Sequence, residues 1–363
     1  RHIARLWRMS KRSAAEQSTL TASEVKAMSM AELKEELKAR EQKITGTKDD
    51  LVQRLTEALG IPLGGSEAAA PSGKKRRGGA KAAWEEERKA FEVGDNGVGA
   101  ASPYADVAAT PSGCAKVVGW NVNGLRALLR KDPKALEEYV KREQPDVLCL
   151  GETKVDDTFE AATGRGLLPG YHAHWNHSRA KKGYAGTVVW SKVAPLRVEY
   201  GLGVDAHDQE GRLIALEFNE MWVVHTYVPN AGQKLERKGY RTKEWDPVML
   251  DYLQRLRASK PVLWLGDLNV AVENIDIHDP IGNRNKSPGF TDEERDNFRL
   301  VLRSGFVDTY RQQHPMRHQF SYWSHRFQAR NKNKGWRLDY CVASEELAPR
   351  VRDSFIRSSV QGS

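Results

Sequence analysis

The chain has 363 residues, of which 39% are hydrophobic, and this suffices for one large folded domain and a smaller one. Its formal net charge of +9 favours a polyanionic partner such as nucleic acid or an anionic membrane surface. Its three widely spaced cysteines match no zinc pattern and no disulfide framework, and no apolar run approaches the roughly 20 residues of a membrane span. The sequence therefore predicts a protein of a reducing compartment without a membrane-spanning segment.

The first predicted segment is a basic tail, residues 1–20. Residues 1–11 include basic side chains and no acidic one, a composition typical of a disordered tail and also of the end of a plastid or mitochondrial transit peptide. The disordered tail is the favoured interpretation. Because the first residue is Arg1 and not Met, we expect the natural chain to begin earlier.

Two short amphipathic helices are predicted within residues 21–60. Each begins at a capping box, in which a Ser or Thr and an acidic residue three positions later satisfy free amides of the first turn. In each helix, leucines recur at a spacing of four and form an apolar stripe along one face. A glycine between the helices supplies the turn. The residues concerned are Ser29 and Glu32, Thr47 and Asp50, Leu33 and Leu37, Leu51, Leu55 and Leu59, and Gly46.

This helical pair resembles the SAP domain, a small DNA-binding module of chromatin and repair proteins. The leucine spacing, Gly46 and the nearby Lys48 carry the resemblance, and Arg40-Glu41 departs from it where Arg-Gly is more usual. The resemblance implies that residues 21–60 contact DNA. The alternative is a generic helical hairpin that packs on the main domain.

Residues 61–113 are rich in Ala, Gly, Pro and Ser, a composition that does not bury enough apolar surface to fold alone. They are therefore predicted to form a flexible, disordered linker, interrupted by a short helix around Trp84 to Phe91. The basic run at residues 74–77 resembles a nuclear localisation signal, and a solvated linker run is almost as good an interpretation. We expect a nuclear protein, with chloroplast or mitochondrion as the alternative.

From residue 116 onward, short apolar runs alternate with helical patterns, which predicts an α/β domain. Four of the runs end in polar residues, and ligand sites of α/β proteins commonly gather at such strand ends. Carboxylate and amide oxygens are the ligands that Mg²⁺ prefers, whereas the Cys/His cluster of a structural zinc site is absent from the sequence. The runs and their polar ends are 117–120 with Asn121 and Asn123, 147–150 with Glu152, 223–226 with Tyr227 and Asn230, and 262–265 with Asp267 and Asn269.

Five segments that contain these residues occur in a characteristic order. They are Trp120-Asn121-Val122-Asn123-Gly124-Leu125-Arg126, Glu152-Thr153-Lys154, Tyr227-Val228-Pro229-Asn230, Gly266-Asp267-Leu268-Asn269-Val270-Ala271 and Trp336-Arg337-Leu338-Asp339-Tyr340. This series resembles the motifs of the exonuclease III family of abasic-site endonucleases, and the match extends over residues 116–363. With a SAP-like module in front, the layout resembles that of plant and algal members.

The resemblance implies that residues 114–363 form a four-layer α/β sandwich of the endonuclease/exonuclease/phosphatase type. It also implies a metal site for Mg²⁺, with Mn²⁺ as an alternative ion, in which Glu152 is the principal ligand and Asn123 lies beside it. Asp267 would position or deprotonate the attacking water. Asn269 and Asn121 would orient this water, and Tyr227 and Asn230 would contact the scissile phosphate.

The same resemblance implies an apolar pocket for a sugar that has lost its base. Trp323, Trp336 and Leu338 are expected to form it, and Arg337 is assigned to substrate binding with them. A pocket with no room for a base selects the lesion by exclusion. For each aromatic residue the alternative is ordinary core packing.

One departure from the family pattern concerns the end of the chain. Members of the family follow the Asp339 segment with a Ser-Asp-His-Pro-type motif whose His contacts the phosphate, and Asp339 would hold that His in the required tautomer. None of the ten histidines matches it. We therefore expect the natural chain to continue beyond Ser363 and the domain at 114–363 to lack its C-terminal end.

The predicted function is that of a Mg²⁺-dependent DNA-(apurinic or apyrimidinic site) endonuclease of base excision repair. It would act as a monomer on double-stranded DNA, 5′ to abasic sites, with 3′–5′ exonuclease and 3′-phosphodiesterase side activities. One alternative is another metal-dependent phosphoesterase of the same fold, which the segments 120–126 and 336–340 oppose. The other is a non-catalytic DNA-binding or regulatory protein, which the absent Asp-His motif favours and the intact Glu152 and Asp267 oppose.

Overall fold

A computed structural model describes residues 25, 28–40, 42–59, 73–93, 110–325 and 328–360, within two compact units, Arg1–Arg76 and Arg77–Ser363. The basic tail predicted at residues 1–20 lies outside the described residues, and so do the last three residues of the chain.

The first unit contains two helices, α1 (Met30–Ala39) and α2 (Lys48–Ala58). Both predicted capping boxes are present, and in each the cap side chain and the acidic side chain three residues later bond each other's amides. Gly46 has a φ of 137° in the turn, a conformation that favours glycine. The two helices bury a small apolar core, which consists of Val25, Leu33, Leu37, Leu51 and Leu55.

Part of the range predicted as a linker is folded. Helix α3 (Gly73–Arg88) is longer than the helix expected from the sequence, and strand β1 (Glu92–Val93) follows it. Burial of Trp84, which is 4% exposed, gives this segment the apolar contact that its overall composition did not predict. Two parts of the predicted linker, residues 61–72 and 94–109, lie outside the described residues, whereas its last four residues, 110–113, are described.

The second unit is built on two facing sheets. The strands are β2 (Val117–Asn121), β3 (Val147–Gly151), β4 (His172–Asn176), β5 (Thr187–Ser191), β6 (Arg197–Tyr200), β7 (Leu213–Glu217), β8 (Trp222–Tyr227), β9 (Val262–Asp267), β10 (Phe306–Asp308), β11 (Arg317–His318), β12 (Tyr322–Trp323), β13 (Gly335–Trp336) and β14 (Asp339–Ser344). The four-stranded sheet has the order β2-β3-β5-β4, and the six-stranded sheet has the order β10-β14-β9-β8-β7-β6. Two short pairs, β1 with β11 and β12 with β13, lie outside these sheets.

Helices cover the outer faces of both sheets. The helices are α4 (Leu125–Lys131), α5 (Ala135–Glu143), α6 (Asp157–Ala162), α7 (Asp205–Asp208), α8 (Lys238–Tyr240), α9 (Asp246–Arg257), α10 (Pro280–Asn283), α11 (Asp292–Arg303) and α12 (Thr309–Gln313). The longest of them, α9 and α11, pack on the six-stranded sheet, and α4 to α6 pack on the four-stranded sheet. A π-helical turn, Arg241–Trp245, joins α8 to α9.

The alternation of side chains along the strands produces the four layers. In β3, Leu148 and Leu150 point to the helices, whereas Val147 and Cys149 point to the other sheet. The sheet-to-sheet core is completed by residues such as Ile214 and others from β5, β7, β8 and β9. The predicted four-layer α/β sandwich is therefore confirmed.

Strand direction brings the predicted polar residues to one edge of the sandwich. The parallel pair β2 and β3 ends with Asn121 beside Gly151, and the parallel pair β8 and β9 ends with Tyr227 beside Asp267. Strand β14 runs antiparallel to β9, so its first residue, Asp339, lies opposite Asp267. The carboxyl ends of four strands and the start of a fifth thus lie together.

None of the helices in the described parts of the chain is both long enough and apolar enough to cross a membrane.

Candidate active site

Asn121 joins the two carboxylates on which the predicted chemistry depends. Its Nδ2 donates to Glu152 Oε1 at 3.1 Å and to Asp267 Oδ2 at 2.8 Å. Its Oδ1 accepts from the amide of Asn123 at 2.9 Å. One amide side chain at the end of β2 thus holds together Glu152 and Asp267, which lie 31 and 146 positions after Asn121 in the sequence.

The backbone turns sharply where these side chains leave the strands. Asn123, Glu152 and Asn269 have φ values of 48°, 51° and 49°, in the left-handed region. Asparagine tolerates this conformation, whereas for a glutamate it costs on the order of 1–3 kcal/mol and persists where the surroundings impose it. Hydrogen bonds from the amides of Thr153 and Lys154 to the carbonyls of Gly186 and Ala185, just before β5, hold the turn that carries Glu152.

Glu152 and Asn123 converge on one cationic group. The ammonium of Lys154 lies 2.9 Å from Glu152 Oε2 and 2.5 Å from Asn123 Oδ1. Burial alone raises the pKa of Glu152, but hydrogen bonds from Lys154 and Asn121 outweigh it and lower the pKa overall. A carboxylate and an amide oxygen that share one positive charge form a donor set that fits a hard divalent cation with several retained waters.

Asp267 and Asp339 form a second part of the site, in which two carboxyl groups are neighbours. Burial and the neighbouring charge of Asp339 raise the pKa of Asp267 well above its usual range. Burial raises the pKa of Asp339 to about 6, although the Ser321 hydroxyl opposes this and the Glu152 carboxylate adds to it. Three buried or half-buried carboxylates in one place favour the binding of a cation.

Tyr227 lies between the acidic residues and a buried arginine. Burial and the charge of Glu152, to which its hydroxyl donates, raise the pKa of Tyr227 well above its usual range, so the phenol stays protonated at neutral pH. The guanidinium of Arg212 lies 4.5 Å from the centre of its ring and donates to its carbonyl at 3.0 Å. Arg212 is itself paired with Glu210 at 2.6 Å. Tyr227 is thus a rigid hydrogen-bond donor beside Glu152.

Asn230 and Asn269 stabilise each other at the ends of β8 and β9. Asn230 Nδ2 donates to Asn269 Oδ1 at 2.9 Å, and Asn269 Nδ2 donates to the carbonyl of Val228 at 2.8 Å. The amide of Asn269 donates to Asp267 Oδ1 at 2.9 Å. This network orients the Asp267 carboxylate with its second oxygen bound by Asn121.

Sequence reasoning gave no role to Arg241, which ties the two loops together. It is 3% exposed and donates to the carbonyls of Pro229 and Leu268 at 2.8 and 2.9 Å, while its Nε pairs with Asp246 at 2.7 Å. It lies in the π-helical turn before α9, far from any motif in the sequence. The pattern of the sequence carries no signal for such a residue, because its partners are main-chain carbonyls.

The predicted pocket residues lie in the same groove as the polar site. Trp323 is 8% exposed, its Nε1 donates to Asn333 at 3.1 Å, and Arg330 stacks 4.5 Å from its ring centre. Trp336 and Leu338 pack against a small core of which Phe290 is a member. The groove has a volume of about 2410 Å³, and its lining includes Asn121, Asn123, Glu152, Tyr227, Asn230, Asp267, Asn269, Trp323, Trp336, Leu338 and Asp339.

Arg337 is the exception among the predicted site residues. Its side chain is 0% exposed and pairs with Asp276 at 2.8 Å and with Asp308 at 2.7 Å. Its guanidinium also lies 4.2 Å from the ring centre of Tyr340. A fully buried cation with two carboxylate partners does not reach a DNA substrate, so the assignment of Arg337 to substrate binding is wrong. Its side chain points away from the groove that Trp336 and Leu338 line.

A second group of potential metal ligands lies elsewhere in the described part of the chain. One ligand atom each from Asp157, Glu160 and His177 lies within 4.8 Å of the others. Glu160 Oε2 is hydrogen-bonded to His177 Nε2 at 3.0 Å. The Asp157 side chain is 96% exposed. The sequence pattern did not indicate this group, because its members come from α6 and from the residue after β4.

Comparison with known proteins agrees with this geometry. The sequence model of the endonuclease/exonuclease/phosphatase family matches residues 118–360, and that of the SAP domain matches residues 24–60. The chain belongs to the endonuclease/exonuclease/phosphatase family. The resemblances to this fold and to the SAP domain that the sequence suggested are thereby confirmed.

Relatives of this family member share almost half of its residues over the second unit. An exodeoxyribonuclease of Bacillus subtilis is 46% identical over 251 residues, which is 68% of this chain and 95% of the relative. The DNA repair nuclease APEX1 of Danio rerio is 44% identical over 68% of this chain and 79% of its own length. A DNA-(apurinic or apyrimidinic site) endonuclease of Dictyostelium discoideum is 44% identical over 68% of both chains.

Solved structures lead to the same family. An AP endonuclease from Leishmania major superposes with a TM-score of 0.61 at 34% identity and covers 68% of this chain and 84% of its own. An AP endonuclease from Archaeoglobus fulgidus has a TM-score of 0.58 at 31% identity, with 66% and 90% covered. The chain is thus a hydrolytic enzyme of a metal-dependent nuclease family, and a SAP domain precedes its nuclease domain.

Proposed function

We propose that this protein is a DNA-(apurinic or apyrimidinic site) endonuclease of base excision repair that requires Mg²⁺ or, as an alternative, Mn²⁺. The observation that carries the proposal is the hydrogen-bonded bridge from Asn121 to Glu152 and Asp267, in the same groove as Trp323 and Trp336. The bridge supplies a metal-binding and a base function side by side. The aromatic wall supplies a place for the lesion.

The reaction would be the attack of water on the phosphorus 5′ to the abasic sugar. A new P–O bond forms and the P–O3′ bond breaks, which leaves a 3′-hydroxyl on one strand end and a 5′-phosphate on the abasic sugar. Asp267 is placed to accept the proton of the water, with Asn269 and Asn121 holding its two carboxylate oxygens. Tyr227 and Asn230 lie beside it as donors to the oxygens of the phosphate.

The divalent cation would be held by Glu152 and Asn123, in the position where Lys154 now contacts both. When bound, it supplies positive charge to the phosphate oxygens and the leaving 3′-oxygen. Because Asn123 is neutral, the site has one carboxylate among these two ligands. The cation therefore depends on Glu152 for most of its charge neutralisation.

Selection of abasic DNA would follow from the apolar wall of the groove. Trp323, Trp336 and Leu338 offer a surface to a sugar, and a nucleotide without a base costs less to extrude from the duplex. A 3′–5′ exonuclease and a 3′-phosphodiesterase activity are proposed as side activities of the same centre, since both hydrolyse the same type of bond.

Double-stranded DNA with abasic sites is the proposed partner, bound by a monomer. The SAP domain supports this proposal with four exposed lysines that can touch phosphates without reading bases, Lys34, Lys38, Lys43 and Lys48. The nucleus is the proposed compartment because the basic run at 74–77 resembles a localisation signal, and chloroplast or mitochondrion remains the alternative. A fluorescent fusion of the natural protein, with and without neutralisation of the basic run, tests the location.

The experiment that tests the proposed activity is incision of a duplex with one abasic site, beside the same duplex with an intact base. We expect Mg²⁺-dependent cleavage of the abasic strand only, a product that DNA polymerase extends from its 3′-hydroxyl, and complete loss of cleavage with a chelator. Equal cleavage of both duplexes would contradict the lesion selectivity. Hydrolysis of a lipid or inositol phosphate ester in place of DNA would favour the other phosphoesterases of this fold, and DNA binding without incision would favour a non-catalytic protein.

A further inference from the structure

Within the second unit, residues 77–93, which contain most of α3 and all of β1, pack on the nuclease domain through a cluster of rings. The ring of Trp84 lies 5.6 Å from that of Phe91 and 6.3 Å from the imidazole of His318. Phe91 lies 5.9 Å from the same imidazole. The amide of Glu92 donates to the carbonyl of Met316 at 2.9 Å, and β1 pairs in parallel with β11. Side chains and backbone together therefore hold the segment in place.

The contact continues from His318 to the wall of the groove. The imidazole of His318 lies 4.7 Å from the ring of Phe320, which is 1% exposed and lies 6.3 Å from the ring of Trp323. A Cβ on Gly335 would lie 2.6 Å from Trp323 Nε1 and 2.7 Å from Phe320, so β13 closes against both rings. A continuous series of ring contacts connects Trp84 to Trp323.

His318 takes part in this series as a neutral ring. Burial lowers its pKa to about 4, and the nearby guanidinium of Arg88 contributes in the same direction, although a hydrogen bond to the carbonyl of Ile277 opposes them. At neutral pH the imidazole therefore carries no charge and packs edge-on against its aromatic neighbours. The rings form a packed apolar cluster in which each ring limits the movement of the next.

We propose that Trp84 is a positioning residue for the substrate pocket and that residues 77–93 form an integral part of the nuclease unit. Docking of Trp84 on His318 would hold β11 and Phe320, and through them Trp323, in the geometry that receives the abasic sugar. This inference rests on the proposed function. Trp84 itself is absent from the lining of the groove, so it would act on substrate binding through the residues that it contacts.

The first test measures docking by hydrogen–deuterium exchange of the whole protein. In Trp84→Ala we expect the amides of residues 316–320 to exchange at least about 10-fold faster, because removal of a buried aromatic ring favours local opening. Trp84→Phe should restore most of the protection. Val93→Ala is the matched control, since Val93 belongs to the same segment and is 79% exposed. Unchanged exchange in Trp84→Ala would overturn the proposal.

The second test measures whether Trp84 acts through Trp323. For Trp84→Ala we expect KM for an abasic duplex to rise about 10-fold with kcat within about twofold, since small displacements of positioning groups weaken productive binding. In a double-mutant cycle with Trp323→Ala, the Trp84→Ala effect on KM should disappear. Trp84→Phe should restore KM in the otherwise natural protein.

Additive effects of the two substitutions on KM would overturn the positioning role. So would a fall in both kcat and melting temperature in Trp84→Ala that Trp84→Phe does not rescue. Failure of the proposed function has a different signature. A natural protein that protects residues 316–320 but does not cleave abasic DNA would contradict the endonuclease activity, and the exchange rates would still support the docking of residues 77–93.

Discussion

Asp267 and Asp339 lie directly opposite each other, at the end of β9 and the start of the antiparallel strand β14. The first is 8% exposed, and the pKa of each carboxyl is raised above its usual range, by burial first and then by the negative charge around it. Two carboxyl groups in this relationship oppose each other's ionisation, which makes the site sensitive to pH and to a bound cation.

Substitution of Asp339 should therefore change the pH dependence of incision. In Asp339→Asn, removal of the neighbouring negative charge lowers the pKa of Asp267, so the carboxylate that accepts a proton persists to lower pH. We expect the acidic limb of the kcat/KM profile, at constant Mg²⁺, to move to lower pH. An acidic limb that stays at the same pH or moves to higher pH would contradict the assignment of Asp267 as the ionising group.

The same pair should influence stability with a defined sign. Because the pKa of Asp339 in the folded protein is about 6 and that of an unfolded Asp is about 3.9, the folded state binds more protons, and stability falls as pH rises between these values. Asp339→Asn should raise the melting temperature at pH 7 relative to the natural protein. At pH 4 the difference in melting temperature between the two proteins should be smaller. Calorimetry at both values measures this without any catalysis.

Asp267→Asn should lower kcat by about 10²- to 10⁴-fold, the usual scale for a lost general base. The substitution keeps the size of the side chain and its ability to bond Asn121, so binding of abasic DNA should change little. Asp251→Asn, on the exposed face of α9, is the matched control and should turn over normally. Single-turnover incision gives the rate, and near-normal turnover of Asp267→Asn would show that another group accepts the proton.

Glu152→Gln should raise the Mg²⁺ concentration needed for half-maximal incision by at least about 10-fold, since changes around metal ligands alone weaken binding by 10- to 100-fold. The variant should also bind Mn²⁺ more weakly when titrated directly, a measurement that does not depend on activity. Glu220→Gln, at an exposed position, is the control. Equal Mn²⁺ affinity in Glu152→Gln and the natural protein would place the metal elsewhere and would favour the group of Asp157, Glu160 and His177.

Arg337→Met should destabilise the protein by about 3–5 kcal/mol, because it leaves Asp276 buried without its main partner. Burial by itself raises the pKa of Asp276, but Arg337 and Arg311 outweigh it and lower the pKa overall. The ion pair thus contributes stability above the ordinary Asp pKa, and this contribution is lost as pH falls through the lowered pKa. Denaturant unfolding at pH 7 measures the destabilisation. At a temperature where the variant is folded, its KM for abasic DNA should be normal, and a large rise in KM would reinstate Arg337 as a substrate contact.

Deletion of residues 1–60 should weaken binding to intact duplex and make its affinity less sensitive to salt. The log–log slope should decrease by about one unit for each phosphate that the SAP domain no longer neutralises. Single-turnover incision at saturating abasic DNA should stay the same, because every residue of the candidate active site lies after residue 120. Deletion of residues 1–20 alone is the control, since it leaves the SAP domain intact. Equal salt slopes for the two deletions would favour a helical hairpin without a role in DNA binding.

The sequence by itself determined four of the strands and the polar residues at their ends. Apolar runs of four residues near Asn121, Glu152, Tyr227 and Asp267 gave these strand positions correctly. For β3, β8 and β9 the reason is burial on both faces, which favours continuous apolar residues. The capping boxes of α1 and α2 were equally readable, since each depends on residues three positions apart. Local spacing is sufficient wherever the interaction itself is local.

Tertiary structure alone decided which distant residues meet. Periodicity does not specify strand order or register, so it could not show that Asn121 bonds both Glu152 and Asp267, or that Arg241 holds the loops after β8 and β9. It placed Arg337 with its motif neighbours, whereas the segment between β13 and β14 buries this residue against Asp276. The docking of Trp84 was hidden for the same reason: a single aromatic residue in a polar, glycine-rich stretch is buried only when a partner such as His318 is brought to it by the fold.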